Sequence, residues 1–149
     1  MYLVDTNILS AGAPTKAQPT PELVGWMERN SERLYLSVIT VAEVEDGIAK
    51  AQRERATRTA DRLAEWLETL LHLYSARILP LDVAAARRLG VLSDQARAAG
   101  QAPGLADLAI AATAQLQGYT VLTRNLRHFR GLAVPAHDPF EGLPAETAS

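Results

Sequence analysis

Three carboxylates and one carboxamide stand where short apolar runs of this 149-residue sequence give way to the next segment. They are Asp5, Glu43, Asp107 and Asn125. No lysine or arginine adjoins Asp5 or Asp107 in the sequence to neutralise its charge. Clustered carboxylates without cationic partners favour a metal ion, and a metal ion held in this way can activate water for attack on a phosphodiester. The residues alone therefore suggest metal-assisted phosphodiester hydrolysis.

Each of these residues also has a purely structural explanation, and in isolation none of these explanations is excluded. Asp5 and Asn125 fit a turn or cap, Thr40 and Glu43 fit a helix capping box, and Asp107 fits an acid near a helix N-terminus. These explanations do not account for acids that recur at the same end of successive strand–helix units. The recurrence favours one shared site.

Oxygen ligands define the predicted metal preference. The sequence contains no cysteine, and its three histidines, at positions 72, 128 and 137, are not spaced as ligands of one ion. Hard carboxylate ligands suit Mg²⁺ or Mn²⁺ better than Zn²⁺. We expect one of these two ions as the cofactor, and we assign His72 no role.

Strand and helix signals alternate along the chain. Strands are predicted over residues 2–4, 34–38, 78–79 and 119–122, with one more at 132–134. The alternation predicts an α/β fold, a three-layer α/β/α sandwich with a mostly parallel central sheet of four to five strands. In such a sheet the polar residues that follow the strands meet at the carboxyl edge.

Helix boundaries are marked by residues with capping or helix-breaking preferences. A helix is predicted from Thr40 onward, with Glu43 in its first turn. A long helix with an apolar stripe is predicted from Thr57, close enough behind the first to form a helical hairpin. Asp82 is expected to cap the next helix and Gly100 to end it, while Gly118 is expected to stop the alanine-rich helix 105–116. A proline-containing loop is predicted over residues 14–21.

Bulk properties narrow the function classes. The length suits one domain, assigned to residues 1–136, followed by a loosely ordered tail, 137–149. A net charge of −2 argues against a broad basic surface for nucleic acid. The two lysines, Lys16 and Lys50, lie outside any glycine-rich phosphate loop. Without a signal peptide or a membrane-length apolar run, we expect a cytoplasmic protein.

Five segments resemble the PIN-domain family, and within it the VapC-type toxins of the branch that includes FitB-like proteins. They are LVDTNILS, LSVITVAEVEDG, ILPLD, GLADLAIAATA and VLTRNLRHF, in this order, and the resemblance runs from Met1 to about Phe140. It implies a parallel sheet between helices, a Mg²⁺ or Mn²⁺ site and cleavage of single-stranded RNA.

Carried onto matching positions, the resemblance places the family's acidic site at Asp5, Glu43 and Asp107, which are the expected metal ligands. Asn125 matches a fourth catalytic position that holds aspartate or asparagine in different members. The resemblance also implies the toxin of a toxin–antitoxin pair, with an RNA substrate, a cognate antitoxin protein and a homodimer. DNA is expected to be contacted only through the antitoxin, and no membrane partner is expected.

The sequence departs from the family pattern at one end of this site. Many members read T-R-N-x-x-D-F where this chain has His128 in place of the aspartate. With Asn125 as well, this end carries less negative charge, so a second metal ion would be held weakly. Thr6 is expected to support the site or only to form a turn, and for Arg124 a surface position is favoured over phosphate binding.

Two other functions are alternatives to the nuclease. A catalytically silent PIN-like protein-interaction module agrees with the weakened acidic end. A phosphatase or receiver domain that uses Asp5 as phosphate acceptor would need a suitable lysine, and neither lysine qualifies. A basic stretch runs from Lys50 to Arg62, and a solvated helix face explains it better than an RNA track.

Overall fold

The computed structural model describes residues 1–10 and 21–145. Within them one sheet contains five strands: β1 (Tyr2–Val4), β2 (Leu34–Ser37), β3 (Ile78–Leu79), β4 (Thr120–Leu122) and β5 (Ala136–His137). Their order across the sheet is β3-β2-β1-β4-β5, and every neighbouring pair is parallel. The first strand in the chain is therefore the central strand of the sheet. The predicted fold class is confirmed.

Helices connect the strands, as parallel pairing requires. They are α1 (Thr6–Ser10), α2 (Pro21–Arg29), α3 (Val38–Arg53), α4 (Thr57–Tyr74), α5 (Val83–Ala98), α6 (Leu105–Gln117) and α7 (Leu126–Phe129). Short 3₁₀ turns precede β2 and β3. None of the helices in the described ranges is long and apolar enough to cross a membrane.

Apolar residues of the strands alternate between the two faces of the sheet. Leu3 of β1 and Val121 of β4 pack into a cluster with residues of α5 and α6. Val4 and Leu122, the next residues along these strands, pack into a second cluster with residues of α1, α2 and α4. Because successive side chains of a strand point to opposite faces, both faces are covered and the sheet forms the middle layer.

Several predicted boundaries are confirmed. The Asp82 carboxylate accepts a hydrogen bond from the Ala85 N–H at 2.9 Å and caps α5. Gly118 follows α6 with φ of 73° and Gly100 follows α5 with φ of 76°, conformations in which glycine avoids the strain of a Cβ. The helical hairpin is formed by α3 and α4, joined by three residues.

Three local predictions are wrong. The fifth strand lies at Ala136–His137 rather than at residues 132–134, which form a turn. Helix α3 begins at Val38, capped by the Ser37 hydroxyl, so Glu43 lies in its second turn and not in its first. For the same reason Thr40 is inside the helix, and the capping-box explanation of Glu43 fails.

The C-terminal segment packs on the domain for part of its length. His137 belongs to β5, Asp138 is buried, and Phe140 contacts the cluster around α1, α2 and α4. The division of the chain at residue 136 stays a prediction. Most of the proline-containing loop predicted over residues 14–21 lies outside the described residues, and Pro21 begins α2.

Candidate functional site

Asp5 lies at the carboxyl end of the central strand. Its backbone N–H donates to the carbonyl of Leu122 at 2.9 Å and so continues the pairing of β1 with β4 by one residue. The side chain is only 6% exposed, which is unusual for an acid. The topology of the sheet therefore places a nearly buried carboxylate at the carboxyl edge.

Three donors hold the Asp5 carboxylate. The Thr6 backbone N–H donates to Oδ1 at 2.8 Å. The Thr123 hydroxyl donates to Oδ2 at 2.8 Å, and the Asn7 amide donates to the same oxygen at 3.2 Å. Thr123 is fully buried and follows β4 directly, so the two neighbouring strands present an acid and its donor side by side. The Asp5 side chain has little freedom to rotate.

Glu43 is joined to Asp5 through Thr6. The Thr6 hydroxyl donates to Glu43 Oε1 at 2.7 Å and lies 3.0 Å from the hydroxyl of the buried Thr40. Because Thr6 follows Asp5 directly and α3 follows β2, this contact brings the first helix against the second turn of α3. Thr6 therefore supports the site, as one of its two sequence interpretations proposed.

Asp107 lies in the first turn of α6, as predicted. Its Oδ2 is 3.0 Å from Nδ1 of His128, in the short helix α7. No lysine or arginine adjoins Asp107 in the sequence, as expected, but His128 contacts it in the folded structure. The residue that departs from the family pattern is thus in direct contact with an acid of the site.

Asn125 is connected to the site through its backbone. Its N–H donates to the Thr123 hydroxyl oxygen at 3.0 Å, and its side chain forms no hydrogen bond within the part of the chain that the structure describes. The neighbouring Arg124 N–H donates to Asn7 Oδ1 at 3.1 Å, and the Arg124 guanidinium lies over the ring of Phe140. The segment 123–125 therefore lies at the edge of the site, and the catalytic role of Asn125 stays a prediction.

The electrostatics of Asp5 link the three acids. Burial is the largest cause that raises the pKa of the Asp5 carboxyl above its ordinary value. Hydrogen bonds from Thr123 and Thr6 oppose this rise, while the charges of Asp107 and Glu43 add to it. Glu43 and Asp107 are thus close enough to Asp5 for their charges to act on it.

The donor set fits a hydrated hard cation. Among residues 1–10 and 21–145, no three histidine, aspartate or glutamate side chains are grouped tightly enough to enclose an ion directly. Glu43 Oε2 and Asp107 Oδ1, however, form no hydrogen bond with the residues described, so both are available as ligands. Mg²⁺ commonly keeps several waters and uses only one or two protein carboxylates. The arrangement is compatible with that mode.

Two threonines take part in the site in ways that the sequence did not indicate, since only a capping role was proposed for Thr40. Thr123 accepts and donates hydrogen bonds between Asp5, Asn7 and Asn125, and Thr40 contacts Thr6 from inside α3. The position of Thr123 beside Asp5 could have been predicted from the sequence, because a residue that follows one parallel strand faces the residue that follows the neighbouring strand. The contact of Thr40 with Thr6 could not be predicted, because it depends on how α3 packs against α1.

The fold and the site together define a class of protein: a three-layer α/β/α domain whose parallel sheet presents buried and exposed carboxylates at its carboxyl edge. Comparison with known proteins assigns the family. A family model described as PIN domain matches residues 2–134, and the chain belongs to this family.

Relatives extend over nearly the whole chain. VapC ribonuclease Y4jK of Sinorhizobium fredii is 36% identical over 143 residues, which cover 95% of this chain and 99% of that protein. Toxin FitB of Neisseria gonorrhoeae is 33% identical over 141 residues, covering 94% and 99%. The crystal structure of FitAcB from Neisseria gonorrhoeae aligns with a TM-score of 0.81 at 34% identity, covering 94% of this chain and 99% of that one.

The repulsion among the acids is tested by Glu43→Gln, which removes one charge while leaving an oxygen to accept the Thr6 hydrogen bond. A raised folded pKa means that Asp5 binds its proton more readily in the folded state. Its contribution to stability is present below the unfolded pKa and is lost as pH rises through the folded pKa. At pH 7 in EDTA we expect the variant to be more stable than wild type by roughly 0.3–0.5 kcal/mol.

Urea unfolding at several pH values measures this difference in the free energy of unfolding. The difference should vanish at about pH 4, where carboxyl groups become protonated. Glu45→Gln is the matched control, because Glu45 is an exposed acid of the same helix for which no contact with Asp5 is found. An equal gain in both variants would attribute the effect to net charge instead of to the site.

Proposed function

We propose that this protein is a metal-dependent endoribonuclease that hydrolyses phosphodiester bonds of single-stranded RNA. The observation that carries the proposal is the buried Asp5 carboxylate at the carboxyl edge of a PIN-domain sheet, joined to Glu43 through Thr6 and within range of the charge of Asp107. The relative named as a VapC ribonuclease supports the same activity. We assign the catalytic site to these three acids and to Asn125.

Asp5, Glu43 and Asp107 would hold Mg²⁺ or Mn²⁺. When bound, such an ion supplies positive charge for a phosphate oxygen and lowers the pKa of an associated water. The protein's own hydrogen bonds then determine the geometry: Thr6 and Thr123 fix the Asp5 oxygens, and Thr6 also orients Glu43. Because these hydrogen bonds already order the carboxylate side chains, binding a cation costs less conformational entropy.

The site assignment is tested by Asp5→Asn and Asp107→Asn. Each variant should lose Mg²⁺-dependent cleavage of a single-stranded RNA by on the order of a hundredfold or more, since each removes a ligand charge. Cleavage is followed on a gel with wild type, with each variant, and with EDTA added.

Asp94→Asn is the control, because Asp94 is an exposed acid of α5 that pairs with Arg97 at 3.1 Å. Circular dichroism must show that the variants are folded. Wild-type cleavage rates in Asp5→Asn or Asp107→Asn would exclude these residues from the catalytic site.

Metal binding is tested separately from cleavage by thermal melting. A ligand that binds only the folded state at a hundredfold excess over its dissociation constant stabilises it by about 2.7 kcal/mol. We therefore expect Mg²⁺ or Mn²⁺ to raise the melting temperature of wild type at neutral pH, and we expect a smaller rise near about pH 4, where protons compete with the metal.

Asp107→Asn should reduce this response, and Asp94→Asn should keep it. Asp5→Asn is less suitable here, because its new amide would face the Thr123 and Asn7 donors and lower stability by itself. Melting that is independent of metal in wild type would contradict the proposed cofactor.

We further propose that the nuclease is the toxin of a toxin–antitoxin pair. Its cognate antitoxin would bind an apolar groove between α1, α2 and α4 with a volume of about 700 Å³. Leu9, Leu23 and Trp66 lie in its wall, and Leu73 is 59% exposed there. Because α1 also carries Thr6, a partner in this groove lies one helix away from the acids. The relative named toxin FitB supports this role.

Other proposed properties follow from the family. The protein is proposed to act in the cytoplasm as a homodimer and to contact DNA only through its antitoxin. A catalytically silent interaction module is the second candidate, and the contact between His128 and Asp107 favours it, because that contact engages one oxygen of a proposed ligand. Wild type that binds its partner but neither responds to Mg²⁺ nor cleaves RNA would select this second function.

The antitoxin proposal predicts that expression of this chain alone arrests bacterial growth, and that co-expression of the small protein encoded beside its gene restores growth. Leu73→Glu should abolish the rescue while RNA cleavage remains, because it places a charge in the groove. Val91→Glu is the control, since Val91 is 47% exposed on α5 and lies outside the groove. Harmless expression of active wild type without a partner would contradict the toxin role.

A further inference from the structure

A second cavity opens directly beside Asp107. It has a volume of about 390 Å³ and is lined by residues 101–104, Asp107, Arg127 and His128. The loop between α5 and α6 forms one wall, and the short helix α7 forms the other. Its volume falls in the range of about 300–1,000 Å³ that is typical of small-ligand pockets. The cavity shares Asp107 with the proposed catalytic site, and Asp5 is not among the residues that line it.

Arg127 gives this cavity a positive charge that no described residue neutralises. Its side chain is exposed and forms no ion pair or hydrogen bond with residues 1–10 or 21–145. The neighbouring His128 is held by its contact with Asp107 at 3.0 Å. An unpaired arginine next to a carboxylate site suits a ligand whose phosphate groups reach both, because guanidinium groups pair well with phosphate.

Gln101 contributes a side chain that can distinguish bases. It lies in the wall of the cavity, and its amide packs against Gly131 so closely that a Cβ at residue 131 would overlap it. The absence of a side chain at Gly131 thus keeps space for the Gln101 amide. A glutamine amide offers one acceptor and two donors, the pattern that reads the edge of an unpaired base.

We propose that this cavity binds the ribonucleotide adjoining the scissile phosphate of the RNA substrate. Arg127 contacts a phosphate of the strand, Gln101 contacts the base edge, and the His128 ring borders the base. The inference rests on the proposed nuclease function, and it assigns substrate selection to residues that are separate from the acids. Because Arg127 lies in the same wall, the subsite is less negative than the acids alone would make it and accepts a polyanion more readily.

Binding of RNA is measured by fluorescence anisotropy with a labelled single-stranded oligoribonucleotide of mixed sequence, in EDTA, so that the result does not depend on catalysis. Arg127→Ala should weaken binding about fivefold or more and reduce the slope of log affinity against log salt by about 0.7, the value for one phosphate contact on a single strand. Arg130→Ala is the matched control, because this exposed arginine, three residues later, lines a different pocket.

Base preference is measured by cleaving a randomised RNA pool in Mg²⁺ and sequencing the new ends. Gln101→Ala and Gly131→Ala should both alter the preferred base at one position beside the cut, since the second variant displaces the Gln101 amide. Arg130→Ala should leave the preference unchanged.

The two proposals fail in different ways. Equal RNA affinity in wild type, Arg127→Ala and Arg130→Ala, or no RNA binding by wild type, overturns the subsite. Unaltered base preference in Gln101→Ala and Gly131→Ala overturns the role of Gln101. If Arg127→Ala loses RNA binding, Arg130→Ala keeps it, and wild type never cleaves RNA, the subsite is supported and the nuclease function is contradicted.

Discussion

The buried carboxylate of Asp5 is the feature on which the rest of the site depends. Burying an ionised acid is unfavourable unless donors or cations compensate it. Here the sheet supplies donors from two directions: Thr6 follows the same strand, and Thr123 follows its parallel neighbour. Because the compensation is incomplete, the pKa of Asp5 stays raised, and the adjacent charges of Glu43 and Asp107 increase the cost. Apolar packing on both faces of the sheet stabilises the fold and offsets this cost.

The sequence carried enough information for the fold class and for the position of the acids. Alternating strands and helices predict a parallel sheet, and a parallel sheet has one carboxyl edge, so Asp5 and Asp107 were expected at the same edge. The contact of Glu43 with Thr6 could not be predicted, because it depends on the angle at which α3 leaves β2. The boundary error at α3 has the same origin, since Ser37 and Thr40 are both acceptable caps in sequence and only packing selects Ser37.

His128 shows how one substitution can alter a site without altering the fold. As a departure from a family pattern it indicated only a loss of negative charge at one end. In space it bonds to Asp107 and forms part of a cavity wall that also contains Arg127 and Gln101. The contact depends on the packing of α7 against α6, two elements that the sequence predicted separately. One side chain therefore contacts an acid of the site and also lines the adjoining cavity.

The central position of the first strand has a consequence for the order of events during synthesis. Asp5 and Thr123 are 118 residues apart in the chain, although their side chains share a hydrogen bond. A nascent chain on the ribosome presents the acid early but lacks β4, the donor and the helix of Asp107 until most of the protein has been made. At about 5–20 residues per second the interval lasts several seconds or more. A prematurely terminated product that ends before β4 therefore lacks the Thr123 donor and holds no assembled site.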